Sequence, residues 1–167
     1  RVGQGSEIVV EVTNDGDVPA TVHWHGLRLK NRFDGVPHDT QKPIAVGERF
    51  TYRVRFPDEG LYWYHPHVNG SRQVARGMYG ALLVHDPNEP QLTERVLVLS
   101  DIMLDDAGLV MDPPAAGDHT PLQHALGHEG NVLLVNGQIE PRIELRPGSH
   151  ERWRVVNCCT SRYINFA

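Results

Sequence analysis

The chain has 167 residues, 40% of them hydrophobic and 22% charged, with a formal net charge of −5, which is ordinary for a folded globular protein. The acidic balance argues against a nucleic-acid binder, and no apolar run is long enough to predict a membrane span. The two cysteines, Cys158 and Cys159, are adjacent and form no disulfide framework, whereas ten histidines are a high count for this length.

The first half of the sequence predicts strands separated by turns. Enrichment in β-branched and aromatic residues predicts strands at 7–13, 18–29, 49–56, 61–65 and 80–84. Within the third of these, Phe50, Tyr52, Val54 and Phe56 occupy alternate positions and predict one buried face. With no convincing helical stretch between them, these short strands predict an all-β sandwich or barrel.

A domain boundary is predicted at 85–90, a polar segment that contains Pro87 and Pro90. Further strands are predicted at 95–99, 132–135, 142–145 and 151–156. The segment 105–130, rich in Gly, Pro, Ala and His, predicts a long loop with at most one helical turn. The chain reaches Ala167 in what resembles another strand. These elements are too few to close a second sandwich, so we expect a piece of a longer protein.

Two His-x-His pairs form the main chemical signal. His23 and His25 lie in an extended segment, where alternate side chains face the same side. His65 and His67 repeat the pattern, and Pro66 between them predicts that this pair lies where a strand ends or bulges, because proline cannot donate to a sheet ladder. Two such pairs on neighbouring strands can present four imidazoles to one cavity.

The residue types indicate the kind of metal. An all-nitrogen donor set suits copper or zinc better than calcium or magnesium. Ordinary surface or core histidines would account for one such pair, but two pairs flanked by aromatic residues favour a metal site. A zinc hydrolase is an alternative, although such sites usually include a carboxylate and neither pair contains Asp or Glu.

The surroundings of both pairs resemble known motifs. Residues 23–27 (His-Trp-His-Gly-Leu) and 63–67 (Trp-Tyr-His-Pro-His) resemble the histidine motifs of the first cupredoxin domain of multicopper oxidases, a family that includes laccases. Residues 77–84 are similar to the strand that closes that domain, and 134–137, 154–157 and 165–167 to the opening of the second domain. The family usually has a strand before residues 2–5, so the first domain looks trimmed at its start.

The resemblance implies a fold and a division of the chain. It implies an all-β, cupredoxin-like Greek-key β-sandwich at residues 1–88. At residues 89–167 it implies the N-terminal part of a second, incomplete cupredoxin-like domain.

The resemblance also implies the ligands. His23 would bind the type 2 copper of a trinuclear cluster, and His25, His65 and His67 the type 3 pair. The family's other cluster histidines come from its last domain, in His-Pro-x-His-x-His and His-Cys-His motifs that this sequence lacks. The type 1 copper is likewise expected outside this chain.

The implied activity is that of a laccase-like, copper-dependent oxidoreductase, inactive without the rest of the protein. The implied partners are dioxygen, a small phenolic, aromatic or metal-ion reductant, and the remainder of the same protein or a partner subunit. Neither nucleic acid nor a membrane is expected as a partner, and the resemblance alone implies a secreted or periplasmic protein.

Asp34 matches a carboxylate that helps to deliver protons to oxygen in similar oxidases, although Asp-Gly is also a turn dipeptide.

Other interpretations stay open. A two-domain laccase, whose cluster forms between subunits of a trimer, would share these motifs. A non-catalytic cupredoxin-like protein would be expected to have lost ligands that this sequence retains. Metal analysis with an absorption spectrum would separate a zinc-binding module from a copper protein.

Several residues carry weaker signals. His119, His124 and His128 lie in the long loop, where a surface metal site and a solvated loop are both compatible with the sequence; a helix over 122–127 would bring His124 and His128 to one face. Three aromatic residues either wall the histidine pairs or belong to the core: Trp24, Trp63 and Tyr64.

Overall fold

The computed structural model describes residues 1–115 and 117–166, and in this part of the chain strands predominate, which confirms the predicted all-β class. The elements in chain order are β1 (Val2–Gly3), β2 (Glu7–Thr13), β3 (Val22–His25), a 3-10 turn (Asn31–Phe33), β4 (Arg49–Arg55), β5 (Gly60–Pro66), α1 (Gly70–Ala75), β6 (Gly80–His85), β7 (Thr93–Ile102), α2 (Pro121–Leu126), β8 (Val132–Val135) and β9 (Glu151–Asn157). Neither helix has the length that a membrane crossing would require.

The chain forms two compact units. The first consists of Arg1–Gly70 with Tyr79–Pro90, and the second of Ser71–Met78 with the chain from Gln91 onward. In the first unit, one sheet has the strand order β1-β6-β5-β3, in which β1 runs parallel to β6 and the other pairs are antiparallel. The antiparallel pair β2 and β4 forms a second sheet.

The core of the first unit lies between these sheets. Tyr52, Val54 and Phe56 are fully buried, which confirms the alternation predicted for this strand. The Trp24 ring from β3 contacts the Tyr52 ring edge to face, with the centroids 5.7 Å apart. The Tyr52 hydroxyl accepts a hydrogen bond from the Val22 amide at 3.0 Å, and this bond ties β4 to β3 just before His23.

In the second unit, β7 pairs with β8 antiparallel and with β9 parallel. The prediction of a strand at 142–145 is wrong, since no strand forms there. Pro141 and Pro147 flank this segment and cannot donate to a ladder.

Cys158 is buried and Cys159 half-buried, both with free thiols. Burial raises the pKa of Cys158 to about 11 and that of Cys159 to about 12, and the Asp101 carboxylate adds to the shift at Cys159.

Three further expectations need correction. The segment predicted as a strand at 18–29 forms one only at Val22–His25, because Pro19 precedes it and Gly26 follows with φ 83°. The helix α1 was not predicted. The strand expected at the end of the chain does not form at 161–166, and Ala167 itself lies outside the described residues.

Candidate metal centre

The two histidine pairs lie on adjacent antiparallel strands and, for His67, directly after the second strand. The register of β3 and β5 sets His23 opposite His65 and His25 opposite Trp63. Because side chains alternate along a strand, these four residues share one face of the sheet. β5 ends at Pro66, which confirms the predicted strand end, and His67 follows directly.

The four imidazole rings form one cluster. The His23 centroid lies 5.5 Å from that of His25, 5.4 Å from that of His65 and 5.3 Å from that of His67. The His65 centroid lies 5.6 Å from that of His25 and 6.0 Å from that of His67. His23 and His65 are half-buried, whereas His25 and His67 are exposed. We call these four residues the histidine cluster.

Backbone carbonyls fix the tautomers of two rings. Nδ1 of His23 donates to the carbonyl oxygen of Asp34 at 2.7 Å, and Nδ1 of His65 donates to the carbonyl oxygen of Pro66 at 2.9 Å. In a neutral imidazole the other nitrogen then carries the free lone pair. Each Nε2 is therefore available as a metal ligand, oriented by a hydrogen bond of the kind that holds ligating histidines.

The spacing of ring nitrogens also suits a metal ion. Nδ1 of His25 and Nε2 of His65 are 3.4 Å apart. Two nitrogens bound tetrahedrally to one ion at ~2.0–2.1 Å would be separated by about 3.3 Å. One ring nitrogen each from His23, His25 and His65 lies within 4.8 Å of the others. His67 does not belong to this group of three, although its ring is next to that of His23.

The surroundings favour neutral imidazoles, the form that binds metals. Burial lowers the pKa of His25, and the neighbouring His23 and His67 lower it further. Burial also lowers the pKa of His65; the hydrogen bond to Pro66 opposes this shift, and the three other rings of the cluster reinforce it.

Asp34 lies beside the histidine cluster, but its backbone makes the hydrogen bond to it. Its carboxylate oxygen Oδ1 is 3.6 Å from Nδ1 of His23, longer than a hydrogen bond, and the side chain is 31% exposed. Gly35, with φ +81°, lets the loop that contains Asp34 approach β3 closely. A Cβ at position 35 would lie 1.9 Å from the carbonyl oxygen of Val22. Sequence reasoning missed the role of the carbonyl, for which the Asp-Gly dipeptide is the available signal.

Trp63 is the aromatic residue that contacts the rings. Its ring stacks on His65 with centroids 4.3 Å apart and an interplanar angle of 29°, and lies 5.0 Å from the centroid of His25. Trp24 and Tyr64 alternate with the histidines and pack against each other at 5.8 Å. Of the three aromatics considered as a wall, the structure places Trp63 at the histidine cluster.

Comparisons with known proteins place these features in a family. A family model described as multicopper oxidase matches residues 1–89. The multicopper oxidase MmcO of Mycobacterium tuberculosis is 34% identical over 196 residues, covering 100% of this chain and 38% of that protein. Laccase-1 of Cryptococcus neoformans var. neoformans is 35% identical over 150 residues, covering 80% of this chain and 22% of that protein.

Solved structures agree with this relationship. The crystal structure of a multi-copper oxidase from Pseudomonas thermotolerans has a TM-score of 0.87 and 34% identity, covering 96% of this chain and 39% of that one. This likeness confirms the predicted cupredoxin-like fold. The chain spans well under half the length of these relatives, since it covers 38%, 22% and 39% of them.

Proposed function

We propose that this chain, which belongs to the multicopper oxidase family, supplies half of a trinuclear copper site in a laccase-like enzyme. The enzyme would oxidise phenolic, aromatic or metal-ion substrates while reducing O2 by four electrons to water. The observation that carries the proposal is the convergence of four imidazoles on β3, β5 and the residue that follows β5, with the centroid of His23 5.3–5.5 Å from each of the other three.

In this proposal His23 binds the type 2 copper, and His25, His65 and His67 bind the type 3 pair. The position of His67 outside the group of three supports a site for more than one ion. Copper, when bound, would supply the redox chemistry that oxygen reduction requires, and a type 1 copper outside this chain would receive the substrate's electrons.

The chain's own residues would hold the ligands in place. The carbonyls of Asp34 and Pro66 orient His23 and His65 and set their tautomers. Trp63 stacks on His65 and contacts His25 at a tilt, which restrains both rings. The site is thereby organised by the fold before any metal binds.

Asp34 would serve as a proton donor beside the histidine cluster. Its carboxylate lies 3.6 Å from Nδ1 of His23, and the side chain is partly exposed to solvent. In the complete enzyme, Asp34→Asn keeps the shape and the backbone carbonyl but cannot exchange the proton. We therefore expect copper content to be unchanged and oxygen uptake at saturating reductant to fall roughly a hundredfold.

The chain offers a matched control for this prediction. Asp39→Asn makes the same change in an exposed residue nearby and is expected to leave oxygen uptake as it was. If Asp34→Asn turns over as fast as the wild type, Asp34 is a turn residue and has no part in proton delivery.

The proposal also covers the organisation of the whole protein. Residues 1–88 would be the first cupredoxin-like domain and 89–167 the N-terminal part of the second. The remainder of the protein, or a partner subunit, would complete the copper site on the side where His25 and His67 are exposed. The resemblance further supports a secreted or periplasmic location, and the net charge of −5 fits a protein without nucleic-acid partners.

A reconstitution experiment tests the function. The 167-residue chain, loaded with copper, is expected to show no sustained oxygen uptake with a phenolic substrate, because it holds half of the ligands. Addition of the C-terminal remainder is expected to restore uptake. Sustained turnover by the chain alone would contradict the half-site proposal, and metal analysis that finds zinc in the active protein would favour a zinc-binding module instead.

A further inference from the structure

Two histidines of the second unit, His119 and His124, lie close together outside the histidine cluster. The rings of His119 and His124 have centroids 5.3 Å apart and an interplanar angle of 47°. His119 is half-buried and His124 exposed. Among the described residues, neither ring has a hydrogen-bond or ion-pair partner, so its nitrogens are free to bind a ligand.

The backbone between these histidines has a defined shape. Thr120 caps the N-terminus of α2: its Oγ1 accepts from the Gln123 amide at 3.2 Å, while Oε1 of Gln123 accepts from the Thr120 amide at 2.9 Å. The His124 amide donates to the Thr120 carbonyl at 2.9 Å. Pro121, at the start of the helix, restricts the backbone further. The two rings are therefore held near each other by local structure, although the segment lies in a long loop.

The sequence left another arrangement of His124 open. A helix over 122–127 would have brought His124 and His128 to one face. Instead α2 ends at Leu126, and Gly127 leaves the helix with φ 79°. The backbone of His128 is held elsewhere, by hydrogen bonds with Ser161 and Thr160.

The separation of the rings suits one shared metal ion. Two imidazoles bound at ~2.0–2.1 Å to an ion in a tetrahedral arrangement have centroids about 5 Å apart. We propose that His119 and His124 form a second site for a divalent transition-metal ion, with water completing the coordination. Cu²⁺ is the probe of choice, because it heads the affinity order of divalent first-row ions for nitrogen ligands. The site shares no residue with the histidine cluster and does not depend on the function proposed for it.

Equilibrium dialysis of the protein against Cu²⁺, with the wild type and the variants measured side by side, tests this site. The wild type is expected to bind one Cu²⁺ at this pair in addition to any metal held by the histidine cluster. In His119→Ala and in His124→Ala the dissociation constant of that ion is expected to rise tenfold or more, since even loss of a residue that orients a ligand costs roughly 10–100-fold. In the complete enzyme, both variants should take up oxygen at the wild-type rate, which separates this site from the catalytic proposal.

His150→Ala is the matched control, because it removes an exposed histidine of the same unit outside the pair. It is expected to retain the additional Cu²⁺ with wild-type affinity. Alanine favours the helical conformation at position 124, and circular dichroism of each variant checks that the fold is kept. Equal Cu²⁺ binding by the wild type and both pair variants, or an equal loss in His150→Ala, would overturn the proposal.

Discussion

His65→Ala is expected to remove copper from the histidine cluster and to reduce oxygen uptake by the complete enzyme at least a hundredfold. His65 lies opposite His23 in the strand register, and its Nε2 is 3.4 Å from Nδ1 of His25. Its loss removes the ring that β5 contributes beside His23 and His25. Loss of a residue that only orients a metal ligand lowers metal affinity or activity roughly 10–100-fold, so loss of a ligand itself is expected to lower them further. Copper per protein and oxygen consumption are the two measurements.

His38→Asn is the control for His65→Ala. His38 belongs to the same unit and has φ 68°, a left-handed conformation that asparagine adopts readily. This variant is expected to keep its copper and its turnover. A His65→Ala enzyme with full copper content and normal oxygen uptake would show that His65 is not a ligand.

Gly35→Ala is expected to lower the free energy of unfolding by roughly 2–5 kcal/mol and to reduce copper retention. An added Cβ would lie 1.9 Å from the Val22 carbonyl oxygen and 2.9 Å from the His23 amide nitrogen, and both are backbone atoms of β3. The loop must then move away from β3, which breaks the hydrogen bond between His23 and the Asp34 carbonyl. Denaturant unfolding and copper content measure the two effects.

Gly47→Ala separates backbone strain from this close approach. Gly47 has φ +80°, nearly the value at Gly35, but no atom lies within 4 Å of a Cβ placed there. Its substitution is therefore expected to cost about 1 kcal/mol, the strain of a left-handed alanine alone. Equal destabilisation in both variants, with copper retained in Gly35→Ala, would contradict the role assigned to the loop.

Local sequence patterns predicted most of the first unit. The strand β2 forms at Glu7–Thr13, as the run of Val and Ile predicts, and the alternation from Phe50 to Phe56 correctly marked the buried face of β4. The His-x-His spacing predicted a shared face for each pair, because side chains alternate along any strand. These features depend on the period of the strand, which sequence alone reveals.

Contacts between distant segments could not be predicted in the same way. The helix α1 has six residues, too short for a recognisable amphipathic repeat, and Gln73 and Val74 are buried by tertiary packing. The bond from His23 to the Asp34 carbonyl depends on how far a loop reaches over β3, which no local pattern encodes. The pairing of His119 with His124 likewise depends on where α2 begins, at the Thr120 cap.

Anomalous diffraction at the copper absorption edge, from crystals of the complete protein, tests the central claim most directly. We predict copper within about 2 Å of a ring nitrogen from each of His23, His25, His65 and His67, distributed over more than one ion. Anomalous peaks that lie elsewhere, with these four imidazoles unligated, would contradict the assignment of this chain as half of a trinuclear copper site.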